Sequence, residues 1–524
     1  MQNLINTRLE SIKKTLGERV IPQVKYDSKT QKKREYHEET RKGVLNDIGL
    51  WARTHSDTMN CWWITGRPAV GKSTIGAKVA ETFEDEKCLY AQYFATRNIP
   101  ATTDPENILP TMALQLAENS PLAATVIEDM LKTTPLSVVK KISDRQARVL
   151  LLEPLQTIAQ YVPKVVVVID GVDELANAEP SVLSEITSVL CSIMSELPTN
   201  VKILIFSRPE QWITVKIPRH IKRLDLATDN SKDDVDRLVR AKLRELAVFH
   251  EWNDWPSEDQ VSRLCWLSDG HLGWAMTALR WIASQVEWEG SARRDEVIEE
   301  VTQLGMGELN ELYAFIFQRI LPPREPARKH YLKGLKTVLG CLLVLQEPLD
   351  IGTIFMLLSL GNFDVLHCMK RISSLISEGT NPITETTVPK LHKSVVEFLV
   401  SSRAHLDLRI DPTEHHHSLT NCCFEVIQKR LFFNVGHSKT SHHLGKMSSI
   451  SQIITYPCLW FADHLRYGGE RATLVPEVEK FMKTRFLQWL EVLSLRGISS
   501  AASKLQILKL QIEVSIHLLT RYGY

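Results

Sequence analysis

The residues with the clearest chemistry form a short glycine-rich segment near residue 70 that could bind phosphate groups. The segment fits the pattern G-x-x-x-x-G-K-[ST] without a mismatch. Its residues are Gly66, Arg67, Pro68, Ala69, Val70, Gly71, Lys72 and Ser73, followed by Thr74. The glycines let the backbone turn tightly enough for successive N–H groups to point at phosphate oxygens. Lys72 would reach the β- and γ-phosphates, and Ser73 would offer its hydroxyl to Mg²⁺. The pattern predicts a nucleoside triphosphate site, and the alternative is a glycine turn with an exposed lysine.

A second candidate site follows an apolar run further along the chain. The run VVVVI at 165–169 leads into Asp170, and Asp173 and Glu174 come shortly after it. A buried strand that ends in aspartate is the Walker B arrangement, in which Asp170 would hold Mg²⁺, through water. A carboxylate just beyond the strand could orient an attacking water, and the sequence leaves open whether Asp173 or Glu174 does so. The alternative is a buried strand followed by an acidic turn.

A third candidate is an arginine at the end of another apolar run. VKILIF at 201–206 is followed by Ser207, Arg208 and Pro209. In a doubly wound sheet the end of this strand also faces the ligand crevice. Arg208 could therefore contact the γ-phosphate and sense its presence. The alternative is a surface arginine where the chain leaves the strand.

The elements that must position these residues alternate between apolar strands and amphipathic helices from about 41 to 215. Predicted strands are 61–65, 88–95, 165–170 and 201–206. This alternation predicts a parallel sheet covered by helices, an α/β P-loop NTPase domain. After 215 the apolar residues recur at helical spacing, and strands become rare. Residues 1–40 are polar and helical, and we expect a leader and linker there.

Composition excludes several other classes of function. Lys and Arg total 63 against 62 Asp and Glu, so no excess of positive charge points to nucleic acid or to anionic lipid. The nine cysteines form no CxxC pair, which argues against a zinc ribbon or a redox motif. No apolar run approaches the roughly 18 residues that a bilayer span needs. We expect a cytoplasmic protein without a membrane span.

The histidines of the last hundred residues are weak candidates for a metal site. His415, His416 and His417 are consecutive, and His437, His442 and His443 follow. Consecutive side chains point in different directions on a helix, so they cannot share one ion. We predict that they do not bind metal.

Taken together, the P-loop, D-G-V-D-E and F-S-R-P resemble the NACHT NTPases. The specific resemblance is to fungal NACHT proteins related to vegetative-incompatibility proteins and to the nephrocystin-3-like N-terminal NTPase domain. The acidic pair after Asp170 is the informative part, and LHKSVVEFL at 391–399 is similar to the family's winged-helix stretch. The resemblance extends from about 36 to 500. It implies a helical lid at 216–300, a winged-helix-like domain at 301–405 and a helical region at 406–524, after an NTPase domain at 41–215.

The same resemblance implies a signal-transduction ATPase with numerous domains (STAND). In such proteins ADP holds a closed state, and exchange for ATP permits self-association and contact with protein partners, here in fungal defence or incompatibility signalling. A winged-helix histidine contacts ADP in relatives, and His392 is the matching position, with a satisfied core histidine as the alternative. Gly270-His271-Leu272-Gly273 stands where relatives place a Gly-x-Pro near adenine. Members usually continue into WD40 repeats, and we expect none in this chain.

Three functions remain open on the sequence. The first is a nucleotide-controlled switch with slow ATP hydrolysis. The second is a turnover enzyme such as a kinase, against which the lack of a readable acceptor site counts. The third is a nucleotide-bound scaffold that does not hydrolyse. We favour the switch, because three motifs that would touch a triphosphate precede a long helical region.

Overall fold

The structure is a computed structural model. It describes residues 2–28, 36, 40–54, 59–96, 99–135, 138, 141–219, 221–226, 231–305, 308–360, 364–376, 383–405, 407–436, 450–469 and 475–496. They form two compact units, Met1–Leu312 and Tyr313–Tyr524. His437, His442 and His443 lie outside the described residues, as does the predicted helical region beyond 496.

The first unit is built on a parallel sheet of five strands. They are β1 Cys61–Thr65, β2 Leu89–Phe94, β3 Val165–Asp170, β4 Val201–Ser207 and β5 Lys222–Asp225. Their order in the sheet is β2-β3-β4-β1-β5, and every pairing is parallel. The first four strands coincide with the predicted apolar runs. The predicted α/β class, a parallel sheet with flanking helices followed by a helical region, is confirmed.

The fifth strand, β5, is not among the strands predicted from the sequence. It pairs with β1 from Trp62↔Lys222 to Thr65↔Asp225. It reads KRLD, so it carries no apolar run, and as an edge strand it is only half-buried along most of its length. The predicted domain end at 215 therefore falls before the last strand of the sheet.

Helices cover both faces of this sheet. The helices of the sheet region are α1 Gln2–Leu16, α2 Lys42–Arg53, α3 Lys72–Asp85, α4 Pro100–Thr103, α5 Ile108–Asn119, α6 Pro121–Thr133, α7 Asp144–Ala147, α8 Glu153–Ala159, α9 Pro180–Met194 and α10 Gln211–Thr214. A π-helical turn, Arg148–Leu152, joins α7 to α8. Short 3₁₀ helices lie at Gly17–Arg19, Pro22–Val24, Pro105–Asn107 and Val172–Ala178.

The central strand β3 shows why its sequence is apolar at every position. Its side chains alternate between two separate hydrophobic cores: Val165, Val167 and Ile169 lie in one, and Val166 and Val168 lie in the other. Successive side chains of a strand point to opposite faces of the sheet, and here helices cover both faces. An uninterrupted apolar run is the consequence.

The N-terminal residues belong to the first of these cores. Helix α1 contacts α5 and α6, and Ile12 and Leu16 are buried at 0% and 2% exposure. Ile21 and Val24 continue the same core. Over this stretch the predicted leader and linker is thus an integral part of the first unit.

Four further helices complete the first unit. They are α11 Ser231–Phe249, α12 Glu258–Ser268, α13 Leu272–Glu289 and α14 Arg294–Thr302, preceded by a 3₁₀ turn at Ser291–Arg293. They pack on one another, and we call them the helical segment. The helix α12 begins at a capping box, in which Ser257 and Gln260 exchange hydrogen bonds between side chain and backbone.

The second unit is helical. Helix α15 Leu309–Ile320 leads into it, and its other helices are α16 Ala327–Val344, α17 Ile351–Leu358, α18 Val365–Arg371, α19 Lys393–Val400, α20 Pro412–Arg430, α21 Gln452–Tyr467, α22 Val475–Thr484 and α23 Phe486–Leu495. A 3₁₀ turn lies at Ser373–Leu375, and one antiparallel bridge joins Ile376 to Leu391. Among the described residues, no helix is long and apolar enough to cross a membrane.

Candidate nucleotide-binding site

The phosphate-binding loop joins the end of β1 to the start of α3. Two of its residues have positive φ, Ala69 at 60° and Gly71 at 94°. Gly71 caps α3, and its carbonyl accepts the first helical hydrogen bond from the Ile75 N–H at 2.9 Å. A Cβ built on Gly66 would lie 2.7 Å from Val70 Cγ2. Glycine at both ends is therefore demanded by the backbone, once by close approach and once by a left-handed conformation.

Lys72 spans the mouth of this loop. Its Nζ donates hydrogen bonds to the Gly66 carbonyl at 2.7 Å and to the Arg67 carbonyl at 2.9 Å. Ser73 and Thr74 follow in the first turn of α3 and are half-buried. The ammonium and the N-terminus of a helix both favour an anion at this place.

Strand register brings the predicted acidic residue to the same edge of the sheet. Phe206 on β4 pairs with Ile64 on one side and with Asp170 on the other. Asp170 thus lies level with the end of β1, two strands away, which is about 9–10 Å in the hydrogen-bonding direction. Its exposure is 2%. Asp170 therefore ends β3 at the same edge of the sheet where the phosphate-binding loop leaves β1.

The turn after Asp170 is shaped by a glycine. Gly171 has φ of 81°, and a Cβ there would lie 3.0 Å from the Ala95 carbonyl oxygen. Its carbonyl accepts from the Glu174 N–H at 2.8 Å, which opens the 3₁₀ helix Val172–Ala178. This turn sends the chain across the strand ends and leaves the Glu174 side chain half-buried.

Asp173 and Arg208 form a contact between the ends of β3 and β4. The Arg208 backbone N–H donates to Asp173 Oδ1 at 3.0 Å, and the guanidinium Nε lies 3.4 Å from Oδ2. The Asp173 side chain is 4% exposed and that of Arg208 is 14% exposed. Trp63 Nε1 donates to Ser207 Oγ at 2.9 Å and fixes the strand end before this arginine.

The helical segment also reaches the phosphate-binding loop. A Cβ built on Gly273, in the first turn of α13, would lie 2.3 Å from Ala69 Cβ and 2.7 Å from its carbonyl oxygen. His271 caps α13 by accepting from the Trp274 N–H at 3.1 Å. Burial lowers the pKa of His271, and the nearby charges of Arg67 and Lys72 lower it further. The tetrapeptide at 270–273 therefore lies against the loop.

A second contact to the loop comes from Arg41, which the sequence analysis does not identify. It is 3% exposed and its Nη2 donates to the Val70 carbonyl. Arg41 stands in a run of charged residues, SKTQKKREYHEETRK, and the ordinary expectation for such a run is a solvated helix face. No pattern in that run singles out one arginine, so the sequence offered no signal for it.

His392 lies in the second unit and caps α19. Its Nδ1 is 2.6 Å from Ser394 Oγ, which in turn is 2.6 Å from the Tyr313 hydroxyl. The Ser394 N–H points at the same Nδ1, 3.3 Å away. This network gives the residue a role within its own unit, and its predicted contact with ADP remains a prediction.

Comparisons with known proteins agree with this description. Residues 40–208 match the family model described as Nephrocystin 3, N-terminal. The matched segment starts just before α2 and ends at Arg208, so it includes the phosphate-binding loop and the acidic turn. No protein with a curated description matches the sequence.

Two solved structures are among those that the search of known structures finds similar to this chain. One is a STAND protein with a tetratricopeptide repeat sensor from Pyrococcus horikoshii, with a TM-score of 0.44, 14% identity and coverage of 92% of this chain. The chain spans 57% of the length of that structure. The other is a Walker-type ATPase from Pyrococcus abyssi, with a TM-score of 0.34, 13% identity and coverage of 72% of this chain and 98% of that one.

Proposed function

We propose that the chain is a nucleotide-controlled signal-transduction NTPase of the NACHT type, which binds ATP and ADP with Mg²⁺ and changes its self-association with the bound nucleotide. The observation that carries the proposal is the arrangement at one edge of the sheet. The phosphate-binding loop follows β1, Asp170 ends β3 and Arg208 comes just after β4. These three strands are adjacent in the sheet, so the three features lie together at the carboxyl ends of the strands. The family match over 40–208 supports the same class.

In this proposal the loop at 66–74 binds the phosphates. The left-handed residues Ala69 and Gly71 turn the backbone so that consecutive N–H groups can converge on one anion. Lys72 would exchange its two carbonyl acceptors for β- and γ-phosphate oxygens, which are stronger partners because they are charged.

The donor set suits Mg²⁺. A bound Mg²⁺ would neutralise charge on the phosphate oxygens, and it prefers hard oxygen ligands together with phosphate. The Ser73 hydroxyl and the buried Asp170 carboxylate supply such oxygens next to the loop and at the end of β3. In this proposal Ser73 binds the ion directly and Asp170 holds it through water.

Hydrolysis would rest on Glu174. Both carboxylate oxygens of Asp173 lie beside Arg208, so Asp173 is suited to hold the arginine and Glu174 to orient the attacking water. Arg208 would then contact the γ-phosphate while Asp173 holds its backbone N–H and its Nε. Slow turnover would let the triphosphate state persist long enough to signal.

The second unit would carry the readout. In this proposal His392 contacts ADP, and exchange of ADP for ATP permits self-association and binding of protein partners. The lid and winged-helix-like interpretations of 216–300 and 301–405 belong to this proposal. The resemblance to incompatibility proteins suggests a fungal defence role, carried out in the cytoplasm.

A non-hydrolysing scaffold is the second candidate, favoured by the engagement of Asp173 with Arg208. The two functions separate in one experiment on the purified chain, in which molar mass is measured by light scattering after incubation with ADP or with ATP–Mg²⁺. The switch predicts a larger assembly with ATP–Mg²⁺ that reverts as phosphate is released. Equal masses with both nucleotides and no phosphate release would favour the scaffold.

A further inference from the structure

Arg41 is a buried arginine where the N-terminal residues meet α2. It immediately precedes α2, and its backbone is left-handed, with φ of 54°. Arginine is almost never fully buried without a partner, because removing its charge from water is costly. An arginine at 3% exposure in a strained conformation must therefore be held by the structure around it.

Its contacts join three separate parts of the first unit. The guanidinium Nη2 donates to the Val70 carbonyl of the phosphate-binding loop at 3.4 Å and to the Leu226 carbonyl, directly after β5, at 3.5 Å. The backbone N–H of Arg41 donates to Asp234 Oδ2 at 3.1 Å, and Nε lies 3.8 Å from the same oxygen. The backbone bond to the Asp234 carboxylate is the shortest of these contacts, and the carbonyl distances are at the long end of the hydrogen-bond range.

Asp234, the acidic partner of Arg41, is also buried. It is 4% exposed and lies in the first turn of α11, where the partial positive charge of a helix N-terminus favours a carboxylate. Its other oxygen, Oδ1, accepts from Arg237 Nη2 at 2.5 Å. Removing Asp234 would take from the buried Arg41 its carboxylate partner, and breaking a buried pair costs more than a surface ion pair contributes.

The helical segment thus holds the loop at two places. Gly273 and His271 of α13 lie against Pro68 and Ala69, and Asp234 of α11 holds Arg41, which holds Val70. The three residues Pro68–Val70 form the bend between the two glycines. The backbone N–H groups of Ala69 and Val70 are among those that the proposed function aims at phosphate.

We propose that Arg41 is a positioning residue for the nucleotide site: it couples the helical segment to the phosphate-binding loop, so that nucleotide affinity depends on the Arg41–Asp234 pair. This inference rests on the proposed function. Arg41 does not bind phosphate itself in this account. It acts through its contact with the Val70 carbonyl.

The test is a double-mutant cycle on the full chain. Affinities for ATP–Mg²⁺ and ADP are measured by calorimetry for wild type, Arg41→Met, Asp234→Asn, the double variant and Arg41→Lys. We expect each single change to weaken ATP binding about tenfold, which is about 1.4 kcal/mol. The double variant should be no weaker than Arg41→Met, because both changes remove one coupling. Arg41→Lys should recover part of the affinity by keeping the charge.

Two exposed ion pairs on the same helices supply the controls. Arg53 on α2 pairs with Glu86, and Asp236 on α11 pairs with Arg240. Arg53→Ala and Asp236→Asn should leave both affinities within about twofold, since exposed pairs contribute little. Melting temperatures without nucleotide identify any variant that is unfolded.

The outcomes separate this inference from the function on which it rests. If wild type binds no nucleotide, the proposed function fails. If wild type binds and a folded Arg41→Met binds equally well, the coupling is refuted and the function stands. Strictly additive losses in the double variant, or no recovery in Arg41→Lys, would also overturn the coupling. If Arg41→Met does not fold, Asp234→Asn decides by the same criterion of lost affinity.

Discussion

Arg208 meets Asp173 with both its backbone and its side chain: the N–H donates to Oδ1 at 3.0 Å, and Nε lies 3.4 Å from Oδ2. The two residues follow neighbouring strands and are 35 positions apart. The pair fixes the arginine at the edge where β3 and β4 end. Both carboxylate oxygens of Asp173 engage Arg208, so of the two acidic residues after Gly171 we propose Glu174 as the one that orients water.

Exchange of Glu174 for Gln should stop phosphate release and leave ATP affinity within about threefold. A glutamine keeps the size of the side chain but removes the basic carboxylate that orients water. Asp173→Asn should act differently and reduce ATP affinity as well, because it weakens the hold on Arg208. Single-turnover phosphate release and calorimetric binding on both variants check the division. Normal turnover in Glu174→Gln would assign the water to another residue.

Exchange of Lys72 for Ala should lower the affinity for ATP and ADP at least tenfold. The change removes the ammonium that lies across the loop on the Gly66 and Arg67 carbonyls. Lys78→Ala, on the same helix, removes an exposed pair with Glu81 and should leave affinity unchanged. The measurement is equilibrium binding of both nucleotides to both variants. Unchanged affinity in Lys72→Ala would mean that this loop does not bind the phosphates.

Gly273→Ala should lower the melting temperature and weaken nucleotide binding. The added Cβ would lie 2.3 Å from Ala69 Cβ, so α13 or the loop must move, and overpacking of this kind costs about 1–3 kcal/mol. Gly43→Ala is the matched control, since a Cβ at this helical glycine meets nothing within 4 Å. It should instead stabilise the protein by about 0.5–1 kcal/mol. Thermal unfolding and nucleotide titration of both variants give the comparison, and equal behaviour of the two would refute the contact.

A histidine pair in the second unit predicts acid sensitivity. His416 Nδ1 and His464 Nδ1 are 2.8 Å apart, and His464 Nε2 is 2.8 Å from the Tyr456 hydroxyl. One proton serves the two facing nitrogens, so a second would place two N–H groups against each other. Burial lowers the pKa of His416 from 6.5 to about 4, and the neighbouring His415 adds to the effect.

The sign follows from proton uptake. Between pH 6.5 and about 4 the unfolded chain binds a proton at His416 that the folded chain does not, so the free energy of unfolding falls as the pH falls through this window. His416→Gln should make that fall shallower, and His405→Gln, at a histidine whose side chain is 69% exposed, should not. Denaturant unfolding at pH 7, 6 and 5 measures the slopes. Equal slopes in wild type and His416→Gln would contradict the prediction.

The strands and the phosphate-binding loop could be predicted because their chemistry is local. β3 is apolar at five consecutive positions, since both faces of the sheet are covered. The loop needs glycine at Gly71, where the backbone is left-handed, and at Gly66, where it packs closely. The short edge strand β5 has three charged residues out of four and leaves no such trace.

Residues that act through distant partners could not be predicted. Arg41 and Asp234 are 193 positions apart, and neither lies in a recognisable pattern. The division of roles between Asp173 and Glu174 likewise depends on Arg208, whose backbone N–H reaches Asp173 only because β3 and β4 are neighbours. Burial of a charge is a property of the tertiary fold, and the sequence around Arg41 looks like any solvated charged segment.

Whether the loop at 66–74 holds a nucleotide can be determined by identifying the ligand that co-purifies with the protein. The chain is denatured, and the released ligand is separated by ion-exchange chromatography and quantified against protein. We expect close to one molecule of released ADP per chain for wild type, and no released ADP for the Lys72→Ala variant. No released nucleotide, together with no binding of added ATP–Mg²⁺ by calorimetry, would contradict it.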